Sequence, residues 1–485
     1  MELYELRHVV NLALDVTAGE PSILEAEVCA SWCEQQIAEL SHDTTQPEDA
    51  GHSLRDETVC GLSILVVTAD GAGRKVGFGV DRDELSRDSI ALALEMAKQN
   101  AVADPGFTGL PKPPQATPAA PLLHDPAVVS LPDDAVAGLA SEALDGALST
   151  FREAAVEAPF EVKGDVRSRT ELLVVGNSHG LLAEDTSTSL LATLHGHLGP
   201  RQSHGVGSHS AVYLKDFSPH DAGVEAATEA LQARGGAALP AGEYAVIFGP
   251  RAVADLWQDL LLPALSLDTL ANGASPFEDR FGQQIADAFL TVADEGRFPG
   301  LIGSRAITGD GLPTGTTTLI AKGRLTGFLA DAYQARAMAP KFGPLPPRNG
   351  MRHAVNGEGF AMRPGIFPTN VTFASDEAVP RDALMAPITN GIYVGGLWAT
   401  AFRRGAAPGD FVSTVVGPSF HIHGGELAQP LQPRVLHVQD NAFDVLQRLS
   451  GLSTLRRPVV LASGQSVVLA PELRCSRVSF VHRRG

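Results

Sequence analysis

The sequence predicts an α+β protein, with an N-terminal α/β domain over residues 1–238 and a mostly antiparallel, barrel-like β domain over residues 239–485. Three observations carry this. Helix-period and strand-period hydrophobic runs alternate through the first half. Strand-like runs punctuated by Gly, Pro and Asp turns dominate the second. The 49 Gly and 33 Pro exceed average usage modestly, which favours a turn-rich β portion over a helical bundle.

Residues 1–40 read as helical. In the stretch Glu25–Leu40, Ala26, Cys29, Cys33, Ile37 and Leu40 recur every three or four residues. Cys29 and Cys33 then lie one turn apart, either as half of a metal site or as two small residues on a buried face. Thr58–Thr68 and Lys75–Val80 form a hairpin about the turn Ala69–Gly73. Asp83–Ala101 is a helix with Ser86 as its cap.

A proline-rich connection covers about residues 105–126 (Pro111, Pro113, Pro114, Pro118, Pro121), which neither a helix nor a central strand accommodates. Asp133–Ala154 is an amphipathic helix whose acidic start suits the helix dipole. Val162–Val175 and Leu181–Leu194 are strands about the turn Gly176–Gly180. Gly199–Ser210 reads as a loop. His195 and His197, at strand spacing, join His179, His204 and His209 either as candidate metal ligands or as a polar strand face. Asp221–Arg234 is a helix stopped by Gly235-Gly236, and with Leu239–Gly242 it marks the domain boundary.

From Gly242 the pattern sharpens. Tyr244–Phe248 is a strand that turns at Gly249-Pro250 into a helix over about Ala252–Leu262. Gly309–Gly311 and Lys322–Arg324 read as turns between hairpin strands. The strings Asp310–Thr314, Leu319–Asp331 and Tyr333–Arg336 resemble the TldD/PmbA (TldD/TldE) family, a two-subunit peptidase system whose members are also known as modulators of DNA gyrase. The resemblance covers nearly the whole chain, most specifically 240–475.

What the resemblance implies turns on two positions. The TldD half of such a pair has a His-Glu-x-x-x-His helix after this strand, two imidazoles on one Zn²⁺ with a carboxylate as general base on the metal-bound water. Here the matching residues are Gln258, Asp259, Leu260, Leu261, Leu262 and Pro263. That half also has a cysteine near its C-terminus, and the matching text, Val460–Gln465, places Val460 there. The resemblance therefore implies the TldE/PmbA-like, metal-free subunit: no catalytic residue, metal ligand or cofactor of its own, with zinc in a TldD-like partner. It further implies an unfolded, short or modified peptide, or a peptide-like precursor, held in strand form. Pro408–Ser413 resembles a groove-lining string of the family. Gly409, Asp410 and Phe411 are thus candidate substrate contacts, and His353 in the long loop Pro340–Gly365 is another.

Other classes fit less well. A net charge of −19 opposes a nucleic-acid surface, and no apolar run is long enough for a membrane span. Four cysteines in so long a chain argue against a disulfide framework, and the N-terminus has no secretion-signal pattern, so a cytoplasmic location is expected. There is no Gly-x-Ser-x-Gly elbow and no P-loop. Two alternatives remain: a stand-alone peptide-binding scaffold homodimer, and an autonomous hydrolase using the histidines at 195–209 or His421 and His423.

Overall fold

The computed structural model describes residues 1–46, 51–71, 73–82, 84–115, 123–132, 134–199 and 203–482. Pro118 and Pro121 of the expected linker, Ala72 of the hairpin turn, Asp83 and Asp133 lie outside the described residues. The first half contains α1 (Leu3–Ala18), β1 (Ile23–Asp43), β2 (Gly51–Asp70), β3 (Gly73–Arg82), α2 (Arg87–Gln99), β4 (Val102–Ala103), α3 (Pro126–Val129), α4 (Ala135–Glu153), β5 (Phe160–Asn177), β6 (Leu182–Leu198), β7 (Ser203–Ala211) and α5 (Pro219–Gln232). Its strands form one antiparallel seven-stranded sheet in the order β4-β3-β2-β1-β5-β6-β7.

Two expectations for this half fail, for physical reasons. Glu25–Leu40 is not helical but the centre of β1. Both faces of that strand are covered, so nearly every position is buried, and its apolar residues need not alternate and fall at intervals that mimic a helix. Gly199–Ser210 is not a loop, because β7 begins at Ser203. Its glycines allow α5 to lie against the sheet: a Cβ on Gly205 would meet the Ala226 carbonyl at 2.2 Å, and one on Gly207 the Ala222 carbonyl at 1.8 Å. The other elements fall near their expected spans, and Ser86 caps α2 by accepting a hydrogen bond from the Ser89 amide at 3.2 Å. The first turn of α4 carries no acidic residue, since Asp134 precedes it as N-cap.

The second half begins with β8 (Gly242–Phe248), α6 (Pro250–Leu256), a π-helical turn at Trp257–Leu261 and α7 (Leu262–Ala264). It continues through β9 (Thr291–Glu295), β10 (Thr316–Ala321), β11 (Arg324–Leu325), β12 (Gly350–Met351), β13 (Gly365–Ile366), β14 (Asn370–Ala374), β15 (Asn390–Val394), β16 (Gly396–Phe402) and β17 (Asp410–Val416). It ends with β18 (Phe420–His423), β19 (Glu426–Pro430), β20 (Leu436–Asn441), β21 (Leu449–Val460) and β22 (Val467–His482). Thirteen of these strands share a branched sheet, antiparallel except where β14 pairs β22 and β15 pairs β8. Among the described residues no sheet closes, so the barrel-like expectation becomes an open sheet. The turn Lys322-Gly323 joins β10 to β11 as expected, with φ +46° and +76°. Gly309–Gly311 turns between single bridging residues, Ile307 and Pro313, and not between strands.

The largest core lies under α6, where Phe248, Val253, Trp257, Leu260 and Phe411 pack. Trp257 meets Phe373 edge-on at 5.2 Å. Among the described residues no helix is long and apolar enough to cross a membrane.

Candidate functional site

Gly249 is the pivot between β8 and α6. Its amide donates to the Val394 carbonyl at 2.8 Å, and a Cβ there would sit 2.6 Å from the Tyr393 hydroxyl. Pro250 opens the helix, where its missing N–H costs nothing. The helix then widens, and the Leu262 amide reaches the Trp257 carbonyl five residues back. A π-turn bonds residue i to i+5, which brings residues five apart onto one face. Gln258 and Pro263 are five apart, and both line one groove of about 390 Å³.

The opposite wall is Leu461–Ser466 with Phe367 and Pro368. The Gln258 side-chain Oε1 accepts from the Ala462 backbone amide at 2.7 Å. The turn is closed by Leu461 N–H to Ser466 O at 2.9 Å and by Gly464 at φ +69°. The fold thus sets the position expected for metal-binding histidines against the segment expected to carry a thiolate, with Val460 half-buried at the end of β21. The donors present do not fit a zinc ion. The Gln258 oxygen is taken by Ala462, Pro263 has no donor atom, and Asp259 accepts from the Gln258 amide nitrogen at 3.0 Å. Among the described residues no three His, Cys, Asp or Glu converge to hold a metal.

His353 lies behind this groove, its ring 4.9 Å from that of Phe367. Gln465 fastens the same layer, donating to the Ala354 carbonyl at 2.8 Å. On the far side is a cavity of about 30 Å³, room for about one water. Glu171 and Asp185 of the N-terminal sheet line it with Arg305 and Arg352 of the second half. Arg169 donates to Glu171 at 3.2 Å and to the Ala354 carbonyl at 3.2 Å, and Asp185 accepts from the Ala306 amide at 3.0 Å. Arg352 donates to Glu27 at 2.6 Å with both side chains under 5% exposed, which joins the two halves through a buried ion pair. Burial, then Arg305 and Arg169, holds His353 down at about 3, so the ring is neutral at physiological pH, and its Nδ1 has no hydrogen-bond partner among the described residues. Burial, then Glu27 and Asp331, pushes Asp310 up to about 8.

The remaining candidates lie elsewhere. Gly409 takes φ +88° against the Phe443 ring, and Asp410 accepts from Asn441 at 2.9 Å where β17 begins. Phe411 is 1% exposed, beneath the helix with Trp257 and Leu260, and β17 is paired on both edges by β16 and β20. Neither its ring nor its backbone is open to a peptide, so Phe411 supports the helix from below. His353 alone of the four adjoins the groove. His195 and His204 share a hydrogen bond at 3.2 Å, and the His421 ring meets Asn390 at 2.7 Å. Cys29 and Cys33 are buried. The charged cavity was not anticipated, although Arg167, Arg169 and Glu171 alternate along β5, a charged strand face visible in sequence.

Residues 241–482 match the family described as the PmbA/TldA metallopeptidase C-terminal domain. A metalloprotease of Methanothermobacter thermautotrophicus is 24% identical over 304 residues, 60% of this chain and 62% of that protein. A metalloprotease of Haemophilus influenzae described as a TldD homolog is 27% identical over 229 residues, 47% and 44% of the two chains. The chain thus matches less than two thirds of the length of either relative. In fold it is similar to TldE of Thermococcus kodakarensis, with a TM-score of 0.75 and 21% identity over 98% of this chain and 100% of that one. A candidate modulator of DNA gyrase from Bacteroides thetaiotaomicron gives a TM-score of 0.79 and 19% identity over 98% of each chain.

Proposed function

The chain belongs to the PmbA/TldD family, and from that premise we propose that it is the metal-free, TldE/PmbA-like subunit of a heterodimeric TldD/TldE-type zinc metallopeptidase. The observation that carries this is the groove at Gln258. The π-turn presents two residues on one face toward Leu461–Ser466, and those residues are an amide engaged by a backbone N–H and a proline. A bonded amide and a proline, at the positions where the resemblance puts two imidazoles in the TldD half, support a metal-free reading.

In this reading a TldD-like partner supplies zinc and the general base. The present chain helps enclose the chamber and holds a short, unfolded or modified peptide, or a peptide-like precursor, through backbone hydrogen bonds. Residues 1–238 and 239–485 act as two domains clamped by the Arg352–Glu27 pair, and the pair of subunits works in the cytoplasm. Phe367, backed by His353, offers peptide side chains an apolar surface in the groove.

The test is reconstitution. The purified chain is mixed with a TldD-like protein bearing His-Glu-x-x-x-His, and both complex formation and cleavage of a short unstructured peptide are followed. One heteromeric species, with cleavage appearing only in the mixture, is the expected result. Cleavage by the chain alone would overturn the reading, and a stable homodimer that ignores the partner would replace it with the scaffold alternative.

A further inference from the structure

A second cleft, of about 1230 Å³, opens between the N-terminal sheet and the far end of the C-terminal sheet and shares no lining residue with the groove at Gln258. His197 and His204 line one wall and Arg434 another. The His204 ring is stacked on His197 at 4.5 Å and hydrogen-bonded to His195 at 3.2 Å. The guanidinium of Arg434 lies 5.3 Å above the ring of Trp398, which is 59% exposed.

Charge pairing in the cleft is one-sided. The acids there are engaged: Glu161 pairs with Lys163, and Asp43 accepts from the Thr45 amide and hydroxyl at 2.7 Å. Arg434 makes no side-chain hydrogen bond or ion pair among the described residues. Nor does Arg251 of α6, which acts on the same histidines. In a chain of net charge −19, an arginine lining a cleft with no carboxylate partner among the described residues is an uncommon arrangement. Burial first, then His197, His195, Arg251 and Arg434, pulls His204 down to about 4, so its ring is neutral near neutral pH.

Backbone strain marks the same place. Arg434 takes φ +62°, and Ala399, beside Trp398, takes φ +54° at a bulge in β16. Non-glycine residues held in the left-handed region cost about 1–3 kcal/mol each and cluster where a side chain must be aimed.

We propose that this cleft binds an anionic ligand, the carboxylate of an acidic peptide, with Arg434 as the fork that receives it on the Trp398 platform and with His204 beside it. A guanidinium takes a carboxylate through two parallel hydrogen bonds. The volume admits several residues, and Gly199, Gly235, Gly236 and Gly417 leave wall backbone uncovered for a peptide chain. The site belongs to this chain alone and does not depend on its having a catalytic partner.

Calorimetric titration of the full chain with a tri-glutamate peptide tests it, beside R434Q and inorganic phosphate. Saturable binding that weakens about tenfold or more in R434Q, at unchanged melting temperature, is the expected result. Because Arg434 is exposed, that variant folds. Absence of binding, or equal affinity in R434Q, overturns the site. Phosphate binding as tightly as the peptide overturns the peptide as its ligand. H204Q, which keeps a polar side chain but not the imidazole ring, weakens the peptide less than R434Q does; the reverse order would move the anion off Arg434.

Discussion

The groove and the small cavity stand back to back, divided by the layer of Phe367, His353 and Gln465, and they are opposites. The groove has room, about 390 Å³, but its helix offers an amide already bonded and a proline. The cavity has charge, with Glu171, Asp185, Arg305 and Arg352 around it, but room for about one water. One side is an open groove with no converging set of ionisable side chains among the described residues. The other keeps ionisable groups and spends them on holding two halves of the chain together. The proposed role, enclosing a partner's chemistry, would use that combination: a permissive wall outside and a rigid joint behind it.

The largest effect should come from breaking the joint. R352M leaves Glu27 buried without its counter-charge, a loss of about 3–5 kcal/mol in denaturant unfolding. E27L added to R352M should recover much of it, because the cost lies in the unpaired charge. A loss under about 1 kcal/mol in R352M would mean that the joint is not buried in solution.

The groove is sharpened by adding what it lacks. Q258H, D259E and P263H together place a His-Glu-x-x-x-His motif on the π-turn, and the variant should take up about one zinc per chain. Zinc uptake no greater than that of the unaltered chain would show that shape alone is not preserved there.

A smaller effect distinguishes the two regions by pH. Folded Asp310 keeps its proton up to about 8, whereas an unfolded aspartic acid releases it near 4. Between those limits the folded state binds more protons, so the contribution of this group is complete below about pH 4, falls as pH rises, and is lost above about 8. The stability of the unaltered chain relative to that of D310N, measured across pH 5–9, should fall by up to about 1.4 kcal/mol per unit until about pH 8. A pH-independent difference would mean that Asp310 is ionised beside Glu27 and Asp331. In the groove, Q258A should cost only about 0.5–1.5 kcal/mol through the lost Ala462 hydrogen bond, with little pH dependence.

What the sequence disclosed follows how local each signal is. The strand, Gly249-Pro250 and helix were legible because turn chemistry and hydrophobic period agree there. The matching of Gln258, Pro263 and Val460 to metal-ligand and thiolate positions came from the resemblance alone. That these lie on one groove was not legible, since it depends on β22 bringing Leu461–Ser466 to the helix. The stretch Glu25–Leu40 misled because a strand covered on both faces has no period of two to find. β7 misled because its glycines serve the close approach of α5 and not a turn. Phe411 was named for its string, but only the packing shows it beneath the helix.

The most direct measurement is the zinc content of the chain purified alone, set beside that of its complex with a TldD-like subunit. The account predicts far less than stoichiometric zinc in the chain alone and about one zinc per heterodimer. Stoichiometric zinc in the isolated chain would contradict it.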